Sequence, residues 1–147
     1  APRSPPGLTC RNSRVAREFT LALPHELEPL ARVQLAQRYA HQLSDRYGTA
    51  IDLVIHAPRG DSRNFHAHLL STTREVTPEG LGRKAALELS GTERHRRGLA
   101  RWSEEKTWLR ERWAEHTNQA LRDLVDVKAE ATTQKLWQHP DYASVYG

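Results

Sequence analysis

Three histidines are the residues of this sequence best suited to chemistry. His66 and His68 are separated by one residue inside Phe65-His66-Ala67-His68-Leu69-Leu70, part of a strand-like run from Phe65 to Thr73. In a strand that spacing puts both imidazoles on one face, close enough to share an ion. His56 closes an earlier alternating run, Ala50 to His56. The turn-rich residues 57–64 between them are short enough to make the two strands antiparallel neighbours, which sets His56 beside the pair. Three neutral imidazoles converging, with coordination positions left open, describe a catalytic metal site rather than a closed structural one. The bland reading makes His66 and His68 partly buried polar residues, and spacing alone does not choose between the two.

The elements that must position these residues are readable from periodicity. Ala16 to Leu23 alternates, with Phe19, Leu21 and Leu23 on one face and Glu18, Thr20 and Ala22 on the other. A carboxylate at Glu18 can orient a ligand histidine by accepting a hydrogen bond from its outer nitrogen. Glu28 to Tyr47 reads as a helix, with Leu35, Tyr39, Leu43 and Tyr47 in register and Gly48 closing it. Ile51, Leu53 and Ile55 face one way in the second strand, while Asp52, Val54 and His56 face the other. Gly80, Leu81 and Gly82 are expected in a connection. Leu109, Trp113, His116, Ala120, Leu124 and Val127 form an amphipathic stripe, succeeded by a shorter helical segment from Thr132 to Trp137. The fold class expected is α+β, an antiparallel sheet flanked by helices.

Composition sets the outer bounds. Hydrophobic content of 37% with 27% charged residues fits a single folded domain over residues 1–147, with 1–14 as an irregular lead-in. No apolar run is long enough to cross a bilayer and no signal pattern opens the chain, so membrane and secretory classes are not expected. The one cysteine, Cys10, excludes an internal disulfide and suits the cytoplasm. A net charge of +4 and a pI near 9.6 favour an anionic partner. The sequence has no methionine and starts Ala-Pro-Arg-Ser-Pro-Pro, so the expectation is a removed initiator or a fragment.

A family resemblance goes further. Arg17-Glu18-Phe19-Thr20-Leu21-Ala22-Leu23-Pro24 resembles a segment of MobA/MobL relaxases, and so does Ile55-His56-Ala57-Pro58 with Gly60-Asp61 and Arg63-Asn64-Phe65-His66-Ala67-His68-Leu69-Leu70 after it. Thr72-Thr73-Arg74, Gly80-Leu81-Gly82-Arg83-Lys84 and Arg112-Trp113 with Asn118 are similar to the later segments of that family. The likeness covers roughly residues 14–121, and residues 124–147 diverge. It implies an HUH-endonuclease palm in which His56, His66 and His68 hold a divalent cation, manganese or magnesium first and zinc as the alternative. It implies Glu18 as the support of one ligand. The implied reaction is site-specific nicking and strand transfer of single-stranded DNA at a plasmid transfer origin, by attack of a tyrosine hydroxyl, with relaxosome accessory proteins as candidate partners.

The family's tyrosine lies upstream of the strand carrying Glu18, and no tyrosine occurs there. Tyr39 and Tyr47 read as core residues; Tyr142 and Tyr146 are the remaining nucleophile candidates, although docked terminal aromatics are the preferred reading of that pair. Three explanations stand, in order: a piece of a larger relaxase, a diverged enzyme using Tyr142 or Tyr146, or a protein that binds metal and DNA without cutting. A structural site would need a fourth ligand such as His95 or His116, and a water-activating nuclease would need no tyrosine. Arg59, Arg63, Arg74, Arg83 and Lys84 are expected to contact phosphates, with Asn64 also a candidate, although shaping the loop is its other reading. The Arg94-His95-Arg96-Arg97 cluster reads as a solvated helix end, and Glu104, Glu105, Glu111 and Glu115 as partners of cations within their own helix. Trp102, Trp108 and Trp113 offer stacking surfaces, with core packing the better reading for Trp113.

Overall fold

The computed structural model describes residues 14–60 and 63–137, and the side chains of these up to residue 131. Three strands form the main sheet: β1 (Ala16–Leu23), β2 (Ile51–His56) and β3 (Phe65–Thr72). The order is β1-β3-β2, with both pairings antiparallel, so β3 is the central strand. Because side chains alternate, one face of the sheet carries Phe19, Leu21, Leu53, Ile55, Ala67 and Leu69. That face packs into the core. Ala67 and Leu69 are fully buried there.

Helix α1 (Pro29–Tyr47) covers this face with Leu35, Ala36, Tyr39, Leu43 and Tyr47. It begins with proline at its first position, where the missing N–H is not needed. It ends at Gly48, which adopts φ 66° in the left-handed region and returns its N–H to the Ser44 carbonyl. A Cβ at Gly48 would meet only ordinary contacts with Glu75, so the backbone angle and not space requires glycine. Gly48→Ala is therefore expected to cost about 1 kcal/mol, read as a lower midpoint in urea unfolding with unchanged slope.

The remaining elements correct three expectations. Gly80–Leu81–Gly82 is not a connection but part of β5 (Gly80–Lys84), paired with β4 (Arg74–Thr77) in a separate two-stranded ribbon. A register shift between Arg74 and Val76 breaks the alternation that would have revealed it. After a 3-10 turn (Ala86–Glu88) and the short α2 (Gly91–Arg96), one helix, α3, runs unbroken from Trp102 to Trp137. The separate segment expected from Thr132 is its continuation. The expected stripe also ends early: Leu124 packs on the core, whereas Val127 is 62% exposed. No helix among the described residues is long and apolar enough to cross a membrane.

Charged residues join the elements on the core side. Glu105 of α3 is not paired within its helix: its carboxylate accepts hydrogen bonds from Arg46 Nε and Nη2 (2.9 and 3.1 Å) and from the Tyr47 hydroxyl. Arg94 of α2 is likewise no solvated helix end. It is buried, donates to the carbonyls of Ala86 and Ala100, and lies 3.6 Å from Glu105. Trp102 and Trp108 carry cations on their rings, Arg17 and Arg46 at 5.4 and 3.7 Å, and pack against the core with Trp113. Intrahelical pairing does occur at Arg112 and Glu115, 2.9 Å apart.

Candidate metal centre

The other face of the sheet carries the histidines. His56 at the end of β2 is the direct cross-strand partner of His66, and His68 comes two residues later on β3. Cross-strand pairing and the two-residue period thus put all three imidazoles at one end of one face. Their ring centroids lie 5.2 Å (His56–His66), 4.5 Å (His56–His68) and 5.2 Å (His66–His68) apart. One nitrogen from each falls within 4.8 Å of the others. His66 and His68 are half-buried and His56 is exposed, so the group opens to the surface.

Glu18 projects from β1 onto the same face, and its carboxylate accepts a hydrogen bond from His68 Nδ1. That contact holds the ring so that Nε2 points away from the carboxylate as an available donor of its lone pair. His66 Nδ1 lies 3.4 Å from the backbone carbonyl of Asn64. This second support has no sequence signal, since every residue supplies a carbonyl. The donor set fits a divalent cation: three imidazole nitrogens, one ring oriented by a carboxylate, and an open side for further ligands. Glu18→Ala is expected to weaken Mn²⁺ binding by about ten- to a hundredfold without unfolding the sheet, measured by calorimetric titration.

The other candidates separate in space. His116 lies in the core-side layer, with Nε2 2.7 Å from Gln42 Oε1, and His95 is exposed on α2. Among the described residues the cluster contains neither. Burial lowers the His116 pKa, with the Arg38 charge contributing, so the neutral imidazole is favoured. Tyr39 and Tyr47 are core residues as expected, 2% and 5% exposed. Tyr39 donates to the Leu109 carbonyl at 2.8 Å, and burial pushes its phenol up to about 12. Burial also raises Tyr47, reinforced by its hydrogen bond to Glu105. Neither is poised to ionise. Tyr142 and Tyr146 lie outside the described residues.

The basic residues divide by position along β3. Arg59 and Arg63 are exposed in the segment joining β2 to β3, at the histidine end, with Asn64 beside them. Arg74, Arg83 and Lys84 lie past the other end of β3, where Arg74 donates to the Gly82 carbonyl at 2.9 Å and Arg83 pairs with Glu75 at 3.0 Å. Arg74 is six residues beyond His68, roughly 20 Å along an extended chain.

Comparison with known proteins places this arrangement. The family model described as MobA/MobL family matches residues 9–133. The Mobilization protein MobL of Acidithiobacillus ferridurans is 32% identical, over 73% of this chain and 34% of that protein. Mobilization protein A of Escherichia coli is 34% identical, over 75% of this chain and 16% of that protein. Conjugal transfer protein TraA of Agrobacterium fabrum is 33% identical over 50% of this chain and 6% of its own length. The chain spans about a third or less of the length of these relatives. The match over residues 9–133 takes in all three strands of the main sheet, the three histidines and Glu18, and the chain belongs to the MobA/MobL family.

Proposed function

We propose that this chain carries the metal half of a strand transferase for plasmid mobilisation, which nicks single-stranded DNA at a transfer origin. The observation that carries the reading is the convergence of His56, His66 and His68 on one open face, with Glu18 fixing His68. The names of the relatives, mobilization and conjugal transfer proteins, support it. A divalent cation held there, manganese or magnesium before zinc, supplies polarisation of the scissile phosphate and neutralisation of charge on its oxygens.

The chain's own residues do the rest. The three imidazoles bind, Glu18 and the Asn64 carbonyl orient, and the exposed Arg59 and Arg63 contact the DNA backbone near the site. In the strand-transfer step a tyrosine oxygen–phosphorus bond forms and the bond to the 3′ oxygen breaks. That oxygen leaves with a proton as a free 3′-hydroxyl, and the 5′ phosphate stays on the protein. The link conserves the phosphodiester energy for rejoining. Burial removes Tyr39 and Tyr47 as nucleophiles. The tyrosine comes from another part of the longer protein or, second, from Tyr142 or Tyr146.

The test is a covalent-adduct assay on the full chain with Mn²⁺ and single-stranded oligonucleotides tiling its parent replicon. A slower protein–DNA band on a denaturing gel, absent in His66→Ala and in one tyrosine-to-phenylalanine variant, supports strand transfer and names the nucleophile. Cut DNA without an adduct replaces it with a water-activating nuclease. Metal binding through the three histidines without cutting leaves a unit that holds the metal half of the site and not the tyrosine.

A further inference from the structure

The face that bears the histidines continues past them without a covering element from the described residues. Val54, the direct cross-strand partner of His68, is 48% exposed, and Leu70, two residues beyond His68 on β3, is 49% exposed. Neighbours on one face of a sheet stand about 4.8 Å apart across strands and about 6.8 Å apart along them. Val54 and Leu70 are therefore diagonal neighbours, an exposed apolar pair on the face that bears the histidines, with Val54 directly across from His68. Leu70 is flanked on one side by Glu18 and on the other by Asp52. Glu18 is engaged with His68. Asp52 is exposed and pairs with no charged group among the described residues.

Two carboxylates beside this apolar platform repel a phosphate, so the sugar-phosphate chain is directed towards the end with Arg59 and Arg63. What suits the platform is the uncharged part of a nucleotide: a flat apolar face to lie on two aliphatic side chains, with hydrogen-bond donors on its edge. We infer that Val54 and Leu70 seat the nucleobase next to the scissile phosphate, and that the Asp52 carboxylate accepts hydrogen bonds from that base's amino group. The inference rests on the strand-transfer reading above. It makes the open face a selectivity element as well as a metal site. Guanine, adenine and cytosine carry an exocyclic amine for Asp52; thymine does not.

The test uses the full chain with Mn²⁺ and a fluorescein-labelled single-stranded 16-mer enriched from a random pool by binding to it. Each guanine is replaced in turn by inosine, each adenine by purine and each cytosine by a pyrimidinone lacking the amine, and affinity is read by anisotropy. One position is expected where loss of the amine weakens binding roughly five- to tenfold, with Asp52→Ala binding both forms of that oligonucleotide alike. The Val54→Thr, Leu70→Thr double variant, which keeps β-propensity on an exposed face, is expected to weaken binding about tenfold. Histidine-dependent binding or cutting that none of these changes alters overturns the nucleobase platform and leaves the strand-transfer reading standing. Absence of Mn²⁺ binding that depends on His56, His66 and His68 overturns both.

Discussion

His66→Ala should abolish tight Mn²⁺ binding by the full chain while leaving its fold and stability intact. His66 is the direct cross-strand partner of His56 and shares the face of β3 with His68, at centroid distances of 5.2 Å each. Removing a partner of a ligand typically costs ten- to a hundredfold in affinity, and removing the ligand itself costs more, so a loss of at least about a hundredfold is expected. The half-buried ring stands on the open face and contributes nothing to the packing of α1 and α3. Its loss should therefore move stability by no more than about 0.5 kcal/mol. DNA cutting in the covalent-adduct assay should fall by about a hundred- to a thousandfold or more. Titration calorimetry and urea unfolding on the same sample separate the two effects. Unchanged Mn²⁺ affinity sinks the metal site, and unfolding makes His66 a structural residue.

Glu105→Ala should have the opposite signature, a large loss of stability with no change in the intrinsic metal affinity of the folded chain. Its carboxylate is 4% exposed and receives two hydrogen bonds from Arg46 and one from Tyr47, with the buried Arg94 guanidinium 3.6 Å away. Removing one partner of such a buried group leaves the others desolvated and uncompensated, at a cost of about 3 kcal/mol. For a domain of this size that lowers the melting temperature by roughly 10 °C. Burial raises the Glu105 pKa, but the hydrogen bonds from Arg46 and Tyr47 and the Arg46 and Arg94 charges outweigh it, and the net shift is downward from 4.5. A carboxylate with a depressed folded pKa contributes stability that is complete above its ordinary value and is lost as the pH falls below it. His116, also depressed but from 6.5, acts in the same direction at higher pH, because charging it in its half-buried setting opposes folding. The midpoint of urea unfolding should decline as pH falls from 7, and more steeply below about 4.5; in Glu105→Ala the steep part should be missing. An equal acid slope in the variant refutes the assignment to Glu105.

The contrast between these two residues shows what can be read from the sequence. His56, His66, His68 and Glu18 are legible because strand alternation fixes the face of a side chain and a short connection fixes which strands are neighbours. Both rules act locally, and β1, β2 and β3 fall within a residue or two of the runs that alternation marks. Glu105 reads wrongly as an intrahelical partner because a charge pattern on a helix looks the same whether its ion pairs are local or reach across the fold to Arg46 and Arg94. The basic residues do not hold together as a group for a related reason. Arg59 and Arg74 flank the same motif in sequence, yet the length of β3 sets them at opposite ends of the sheet. The β4–β5 ribbon is hidden by its glycines and its shifted register, which erase the alternation on which a strand assignment depends.

The position of β3 in the middle of the sheet bears on how the three candidate ligands behave in time. Its backbone is hydrogen-bonded on both sides, to β1 and to β2, so the amides around His66 and His68 are expected to exchange more slowly than those at the end of an outer strand. His56 ends an outer strand, with the turn-rich segment directly after it, and is exposed. In hydrogen–deuterium exchange His66 and His68 should be among the last amides to label and His56 among the first of the sheet. Two candidate ligands then belong to the central strand and the third to the end of an outer strand, so His56 is the candidate ligand expected to join last and let go first.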